Sequence, residues 1–398
     1  MRDVRLGDVL ERARRPLSVK ATARYEQIGI RSHGKGIFHK AAVTGAELGA
    51  KKVFEIRERD LVLNIVFAWE GAVAVAGPDD DGRCGSHRFP TYVARDGESD
   101  VQYLRLFFET ELGRRILQLA SPGSAGRNRT LNQQVLLDSL VPLPPLAEQR
   151  RIVDLIAAVA ASASAAAKKA GSARAVAERY RRRLFEAREW PLVPLVDAVE
   201  VTMGRQRSPK HATGDNVIPY LRAANVKDGY LDLSDVKKMN FTPTEQMTFS
   251  LRSGDTLVTE GCGSRKQIGA CAIWKDELPN PICFQNTLLR LRSTDRTDPH
   301  FVYQWSRYAF EQARFADISS GTNIFHIGSE RAKRMPFLLP PLDAQAHAVS
   351  VLSSLDAATE AAAEVERASR HLRTALLDDL LSGEHEIPES YDRLLEPA

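Results

Sequence analysis

The chain has 398 residues (44.1 kDa), 27% of them charged, with a mean hydropathy of −0.29, a globular composition that excludes disorder and collagen-like structure. The length allows two or three domains. A formal charge of +4, from 55 basic and 51 acidic residues, by itself says little about nucleic acid.

In chain order, the first residues, MRDVRLGDVLERARR, hold no apolar run, so no secretory signal is read and a cytoplasmic location is expected. Residues 1–141 carry 22 Lys/Arg and 18 Asp/Glu, or +4. Short β-rich runs at residues 53–56, 61–67 and 72–76 alternate there with Gly/Asn/Asp turns, and residues 101–120 read as one helix. A polar, Gly-rich loop follows at residues 121–130. Residues 142–190 (10 basic, 5 acidic, +5) predict a long helix that starts after Pro145 and ends before Trp190-Pro191. Its positions spaced alternately four and three apart are Ile152, Ile156, Val159, Ala163, Ala166, Ala170, Ala173, Ala177, Tyr180 and Leu184, all apolar or aromatic. That is the seam of a coiled coil. The alanine-rich stretch from residue 152 to 167 contains Asp154 and is too short to cross about 30 Å of hydrocarbon.

Residues 191–339 (19 basic, 16 acidic, +3) repeat the mixed pattern. Strands are read at 256–259, 270–274 and 287–291, a helix at 299–315, and polar loops at 261–266 and 319–326. Residues 340–398 (4 basic, 12 acidic, −8) hold a second long helix, which Gly383 is read to stop, and a tail. Its seam is less regular: Leu352, Leu355, Thr359 and Ala362, then a three-residue step to Val365, then Ser369, Leu372, Leu376 and Leu380. Such a step is a stammer, which overwinds a coiled coil locally. Each helix is about 60 Å long at about 1.5 Å per residue. Their opposite charges suggest that they pair, and since a domain of this size cannot bury so long a helix, antiparallel pairing is expected, with the two blocks at opposite ends of a rod.

The chain repeats itself. Pro144-Pro145-Leu146-Ala147-Glu148-Gln149 recurs 196 residues later as Pro340-Pro341-Leu342-Asp343-Ala344-Gln345. Shorter matches keep the same order, among them residues 60–63 with 255–258 and residues 71–74 with 269–272. A diverged tandem duplication accounts for this. The fold class read from the pattern is α/β: two mostly antiparallel α/β domains separated by two long helices in an antiparallel coiled coil, with a pseudo-twofold internal repeat.

No catalytic constellation is present. The chain lacks a P-loop, GxSxG, HExxH, and an NPPY- or DPPY-type string. Cys84, Cys262, Cys271 and Cys283 include no CxxC pair, so neither a disulfide framework nor a zinc ribbon is expected, and a reducing compartment fits. Arg127, Asn128 and Arg129 in the first block, and Ser264, Arg265, Lys266, Thr322 and Asn323 in the second, set forked donors and amides beside glycines. These are the residue types that reach base edges and phosphates. The run Arg181-Arg182-Arg183 reads as a solvated or partner-facing helix face.

The segment from Pro142 to Val153, PLPPLAEQRRIV, resembles the helix-start motif of the specificity (S) subunits of type I restriction-modification systems. Its second copy, the long helices and the two variable blocks agree with that resemblance along nearly the whole chain. Residues 64–72, with Gly85-Ser86-His87-Arg88-Phe89-Pro90, resemble a stretch of some target recognition domains, and residues 220–226 resemble another. The resemblance implies a first target recognition domain at 1–141, a central helix at 142–190, a second recognition domain at 191–339, and a C-terminal helix and tail at 340–398. Each domain would read one half of a split site in double-stranded DNA, and Arg88 joins the DNA-contacting candidates. Pro145, Glu148, Gln149, Arg150, Arg151, Pro341 and Gln345 become candidates for docking two methyltransferase (M) subunits, with restriction (R) subunits joining for cleavage. The chain itself is expected to be non-catalytic, with no metal or cofactor of its own and no membrane association. S-adenosylmethionine, Mg and ATP are expected only in partner subunits. The second motif departs from the first: Ala344 replaces Glu148, and Ala346-His347 replaces Arg150-Arg151. Competing readings are a coiled-coil protein-interaction scaffold without DNA binding and an unrecognised DNA-modifying enzyme.

Overall fold

The computed structural model describes residues 1–95, 97–123, 129–208, 213–279, 281–383 and 385–394. The chain forms two compact units, one from residues 1–166 with 364–398 and the other from residues 167–363.

In the first unit β1 (Arg2–Arg5), β2 (Leu10–Ala13), β3 (Leu61–Leu63), β4 (Val73–Val75) and β5 (Thr91–Ala94) precede α1 (Val101–Phe107) and α2 (Glu111–Leu119). Strand β6 (Leu140–Leu143) then leads into α3 (Leu146–Phe185), the first long helix. The antiparallel sheet has the order β2-β5-β3-β4, and β6 pairs with β1 apart from it. The second unit repeats this order. Besides a separate three-stranded sheet (Val217–Leu221, Lys237–Asn240 and Cys283–Phe284), its strands before the domain helices are β7 (Leu192–Pro194), β8 (Val199–Met203), β9 (Thr256–Thr259), β10 (Gly261–Cys262), β11 (Cys271–Ile273) and β12 (Leu288–Ser293). Helices α4 (Pro299–Glu311) and α5 (Arg314–Ile318), strands β13 (Phe325–His326) and β14 (Pro336–Leu338), and the second long helix α6 (Leu342–Ser382) follow. The matching sheet has the order β8-β12-β9-β11, and β7 pairs with β14.

The duplication therefore extends to topology, and buried polar groups repeat with it. Asp60 and Asp255 are both buried at the start of a central strand. Each accepts a backbone N–H, from Arg57 and Arg252 respectively, and pairs with an arginine from across the sheet, Arg15 and Arg292. A buried carboxylate is tolerable only when so paired and hydrogen-bonded.

Each expected domain helix is broken in two. Thr110 caps α2 by accepting the Gly113 N–H, and Ala313 takes a left-handed backbone (φ 57°) between α4 and α5. The strand expected at 61–67 stops at Leu63, because the Asn64 side chain accepts the Val66 N–H and starts a turn.

In the first unit the start of α3 (Ile152, Ile156) shares a core with the end of α6 (Leu377, Leu380, Leu381). In the second the end of α3 (Phe185) shares one with the start of α6 (Ala348). The long helices thus pair antiparallel. All ten seam positions read for α3 are buried or half-buried. The stammer in α6 is absent: Val365 and Leu372 are 50% and 51% exposed, while Glu366 and Arg373 turn inward. The seam runs 352, 355, 359, 362, 366, 369, 373, 376, 380 in unbroken three-four steps, with two charged residues where apolar ones were sought. Arg181 is not a solvated residue either. Only 1% exposed, it pairs with Glu311 (2.8 Å), donates to Gln304 (3.0 Å) and reaches Asp356 on α6 (3.4 Å). Among the described residues, no helix is long and apolar enough to cross a membrane.

Candidate nucleic-acid interface and helix starts

In the first unit the β3–β4 connection is built around Ile65. Its N–H donates to Arg88 O (3.0 Å) and its carbonyl accepts from Leu131 N (2.8 Å), so the Arg88 turn and the loop through Arg129 flank one residue. Arg88 is exposed. The Arg129 guanidinium lies over the Trp69 ring, 5.0 Å from its centroid, and its Nε is buried without a hydrogen-bond partner. Trp69 is itself pinned by donating Nε1–H to Val66 O (3.1 Å), and Phe67 beside it is exposed. Stacking fixes the guanidinium plane and leaves its outer donors for a ligand. Arg127 and Asn128 lie outside the described residues.

A hairpin that sequence reading passed over docks on the same connection. It joins the strands Ile28–Ile30 and Ile37–His39 through Arg31-Ser32-His33-Gly34-Lys35-Gly36. His33 N donates to Glu70 O (2.8 Å), Gly34 N to Gly71 O (3.0 Å), and Ser32 Oγ to Glu70 Oε2 (2.7 Å). Arg31, His33 and Lys35 are exposed around the turn. The signal was legible: basic residues at alternate positions of a Gly-rich turn.

In the second unit β10 and β13 form a short antiparallel ribbon that pairs Gly261 with His326 and Cys262 with Phe325. Both candidate loops leave the Cys262–Phe325 end, so Ser264-Arg265-Lys266 and Thr322-Asn323 come together. A side chain added at Gly263 would stand 3.8 Å from Asn323 O. Arg265, Lys266, Thr322 and Asn323 are exposed, and the Arg265 and Lys266 heads have no ion pair or hydrogen bond among the described residues. Ser264 is half-buried, its carbonyl accepting Cys262 Sγ–H (3.1 Å). Buried Glu260 braces the base, accepting Gly328 N–H (3.1 Å) and bonding His326 Nδ1 (3.1 Å). In topology the β9–β11 connection and the loop after α5 thus match the β3–β4 connection and the loop leading to Leu131, with different residues on them, whereas the Arg88 turn and the hairpin at residues 28–39 lie beside that pair in the first unit.

The helix starts behave differently from expectation. Gln149 and Gln345 are both 0% exposed, so neither presents a partner-facing surface. Gln149 Oε1 accepts Asp100 N–H (2.8 Å), and its Nε2 donates to Pro144 O (2.9 Å) and Glu98 O (3.3 Å). Gln345 makes the same three bonds, to Asp298 N (2.8 Å), Pro340 O (2.8 Å) and Arg296 O (3.0 Å). Asp100 and Asp298 cap the N-termini of α1 and α4, so each glutamine ties a long helix to a domain helix. Glu148 and Arg151 are also buried, turned toward the C-terminal residues. Pro145, Arg150 and Pro341 remain exposed.

Among the described residues there is no cluster of His, Cys, Asp and Glu able to hold a metal. Burial pushes the Cys271 thiol up to about 12 and the Cys283 thiol to about 11, which keeps both inert.

Comparison with known proteins bears out the resemblance carried by the sequence. Residues 187–367 match the family described as the type I restriction modification DNA specificity domain. The EcoKI specificity subunit of Escherichia coli K12 is 23% identical over 250 residues, covering 58% of this chain and 54% of that protein, so the match spans about half of the relative. Three solved structures share the fold. A component of a type I restriction-modification system studied for complex assembly and conformational transition has TM-score 0.60 and 20% identity, covering 96% of this chain and 97% of its own. The HsdS subunit of Thermoanaerobacter tengcongensis has TM-score 0.51 and 19% identity, with 96% and 97% covered. The S subunit from M. genitalium has TM-score 0.58 and 12% identity, with 95% of each chain covered.

Proposed function

We propose, from the match of residues 187–367 to the type I restriction modification DNA specificity domain, that the whole chain is a non-catalytic specificity subunit reading a bipartite site in double-stranded DNA. The observation that carries this reading is the pair of equivalent loop clusters, built at the same place in two repeated units and occupied by different side chains. A duplicated frame with divergent donors suits two different half-sites. In the first unit Arg88, Arg129 and the residue 31–36 hairpin contact one half, with Arg127 and Asn128 in the same loop as Arg129. In the second, Arg265, Lys266, Thr322 and Asn323 contact the other, and the Ser264 backbone holds their turn. Unpaired Arg and Lys heads contact phosphates and guanine edges, and Asn323 suits adenine.

The exposed helix-start residues Pro145, Arg150 and Pro341 belong to the surface that docks two M subunits, and R subunits join that assembly. S-adenosylmethionine, Mg and ATP chemistry resides in those partners. The test is methylation-site mapping with the partner methyltransferase. Replacing Arg265, Lys266 and Asn323 by alanine should relax or weaken one half of the recognised sequence, by about 1–3 kcal/mol per lost base contact. The Arg88/Arg129 double variant should alter the other half alone. Both halves changing together in either variant would refute split reading.

A further inference from the structure

The two helix-start motifs differ where the second has Ala344 and His347 in place of Glu148 and Arg151. The structure gives those two residues a task that arises only once. Glu148 Oε1 accepts the Ile387 N–H (2.8 Å), and Glu148 Oε2 holds the Arg151 guanidinium (3.1 Å). Arg151 Nη1 donates to Ile387 O (3.2 Å), while Nε and Nη2 grip both carboxylate oxygens of Asp392 (2.8 and 3.1 Å). One acid and one base thus bind both backbone polar groups of Ile387 and fork onto Asp392. The Ile387 side chain is buried in the first unit's core, and Tyr391 packs against that core.

After α3 the chain continues covalently: Pro191 O accepts Leu339 N–H (3.0 Å), Trp190 packs on the second unit's core, and the backbone runs on into β7. After α6, no strand follows among the described residues. We propose that residues 385–394 are a strap, and that Glu148 and Arg151 are its receptor, closing the first unit non-covalently where the second is closed by the continuing chain. The replacement of these two residues in the second motif then has a physical cause, because at that place the chain runs on into β7 and no returning segment needs to be held. A partner subunit approaching the α3 start meets Pro145 and Arg150, and reaches Glu148 or Arg151 only by displacing the strap.

This inference does not rest on DNA recognition, and its test does not use DNA. Hydrogen exchange of the full-length chain should show the Ile387 amide protected. Arg151→Met and Asp392→Asn should each accelerate exchange over residues 385–394 at least tenfold while amides of residues 191–339 stay unchanged. Glu148→Gln, which retains an oxygen for the Ile387 N–H but removes the charge held by Arg151, should give a smaller increase. Raising salt should speed exchange in the wild type, since the Asp392 carboxylate is partly exposed, and should have less effect in Asp392→Asn. Because the variants sit in one intact chain, collapse of the whole unit would appear as faster exchange in β3 and β5 and is separable from loosening of the strap. A tail exchanging at free-peptide rates in the wild type, or unchanged exchange in Arg151→Met with β3 and β5 protected, would overturn the proposal.

Discussion

Replacing Gln149 by leucine removes three hydrogen bonds at nearly constant volume and strands the Asp100 N–H, the Pro144 carbonyl and the Glu98 carbonyl. Each bond contributes about 0.5–1.5 kcal/mol net, and an unsatisfied buried donor costs about 1–3 kcal/mol. The Nε2–Glu98 bond is the longest of the three, so it adds least. The expected loss is about 2–4 kcal/mol in the first unit. Gln345→Leu removes the same three bonds around Asp298, so the second unit should lose a matching amount, equal within about 1 kcal/mol. Peptide-resolved hydrogen exchange in increasing denaturant measures this, because it assigns the loss to a unit. Gln149→Leu should lower protection in β5 and α1 and leave β12 and α4 unaffected, and Gln345→Leu should do the converse. A loss below about 0.5 kcal/mol, or loosening of both units by either variant, would refute the view that each glutamine fastens one helix start to one domain helix.

In α6, Val365→Lys and Leu372→Lys should each shift stability by less than about 0.5 kcal/mol in thermal unfolding, because both positions face solvent; a loss of about 2 kcal/mol would restore the stammered seam. Spectrophotometric titration at 295 nm should leave Tyr92 and Tyr303 un-ionised at pH 10, since burial pushes both phenols up to about 12. An unfolded tyrosine ionises near pH 10, so between about pH 10 and 12 the unfolded state binds fewer protons and stability falls as pH rises; Tyr303→Phe should remove one late-titrating group and flatten that decline. Lys266→Ala should reduce the slope of log K for DNA against log salt by about 1, and an unchanged slope would remove Lys266 from the phosphate contacts.

What the sequence made legible was periodic or repeated. The PPL…Q copies located both helix starts, and the α3 seam held at every position because each residue there is apolar. The α6 seam was misread for the converse reason. Glu366 and Arg373 sit on its inner face, where each finds an ion-pair partner, Arg370 and Glu109, and apolar residues one position away drew the pattern off register. The broken domain helices escaped notice because apolar residues run on through the break. What ends the first is local chemistry, a Thr110 cap and a close return in which a side chain at Gly113 would lie 2.1 Å from Phe107 O. Arg181 looked solvated in a run of three arginines, and only its long-range partners Glu311, Gln304 and Asp356 bury it. Strand order, which depends on contacts far apart in sequence, was not readable at all.

The internal repeat supplies the comparison that sorts frame from ligand surface. Where the two units keep the same polar residue at the same place, it is buried or half-buried and internally satisfied: Asp60 and Asp255 under a strand start, Asp100 and Asp298 capping a helix, Gln149 and Gln345 tying helix to domain. These side chains answer to a geometry both units share, so divergence there leaves a polar group stranded in a core. Where the units differ most, at Phe67 and Arg129 against Arg265, Lys266 and Asn323, the side chains are exposed or, for Arg129, stacked on Trp69 at the rim, and hold no other part of the protein together. Glu148 and Arg151 fall between these classes. They sit in the repeated frame yet differ between copies, and what they contact, the strap at Ile387 and Asp392, also exists once. Difference between repeats marks a ligand surface only where the differing residue is free of its own chain; where it is committed, the difference marks a junction that the other copy closes with its backbone.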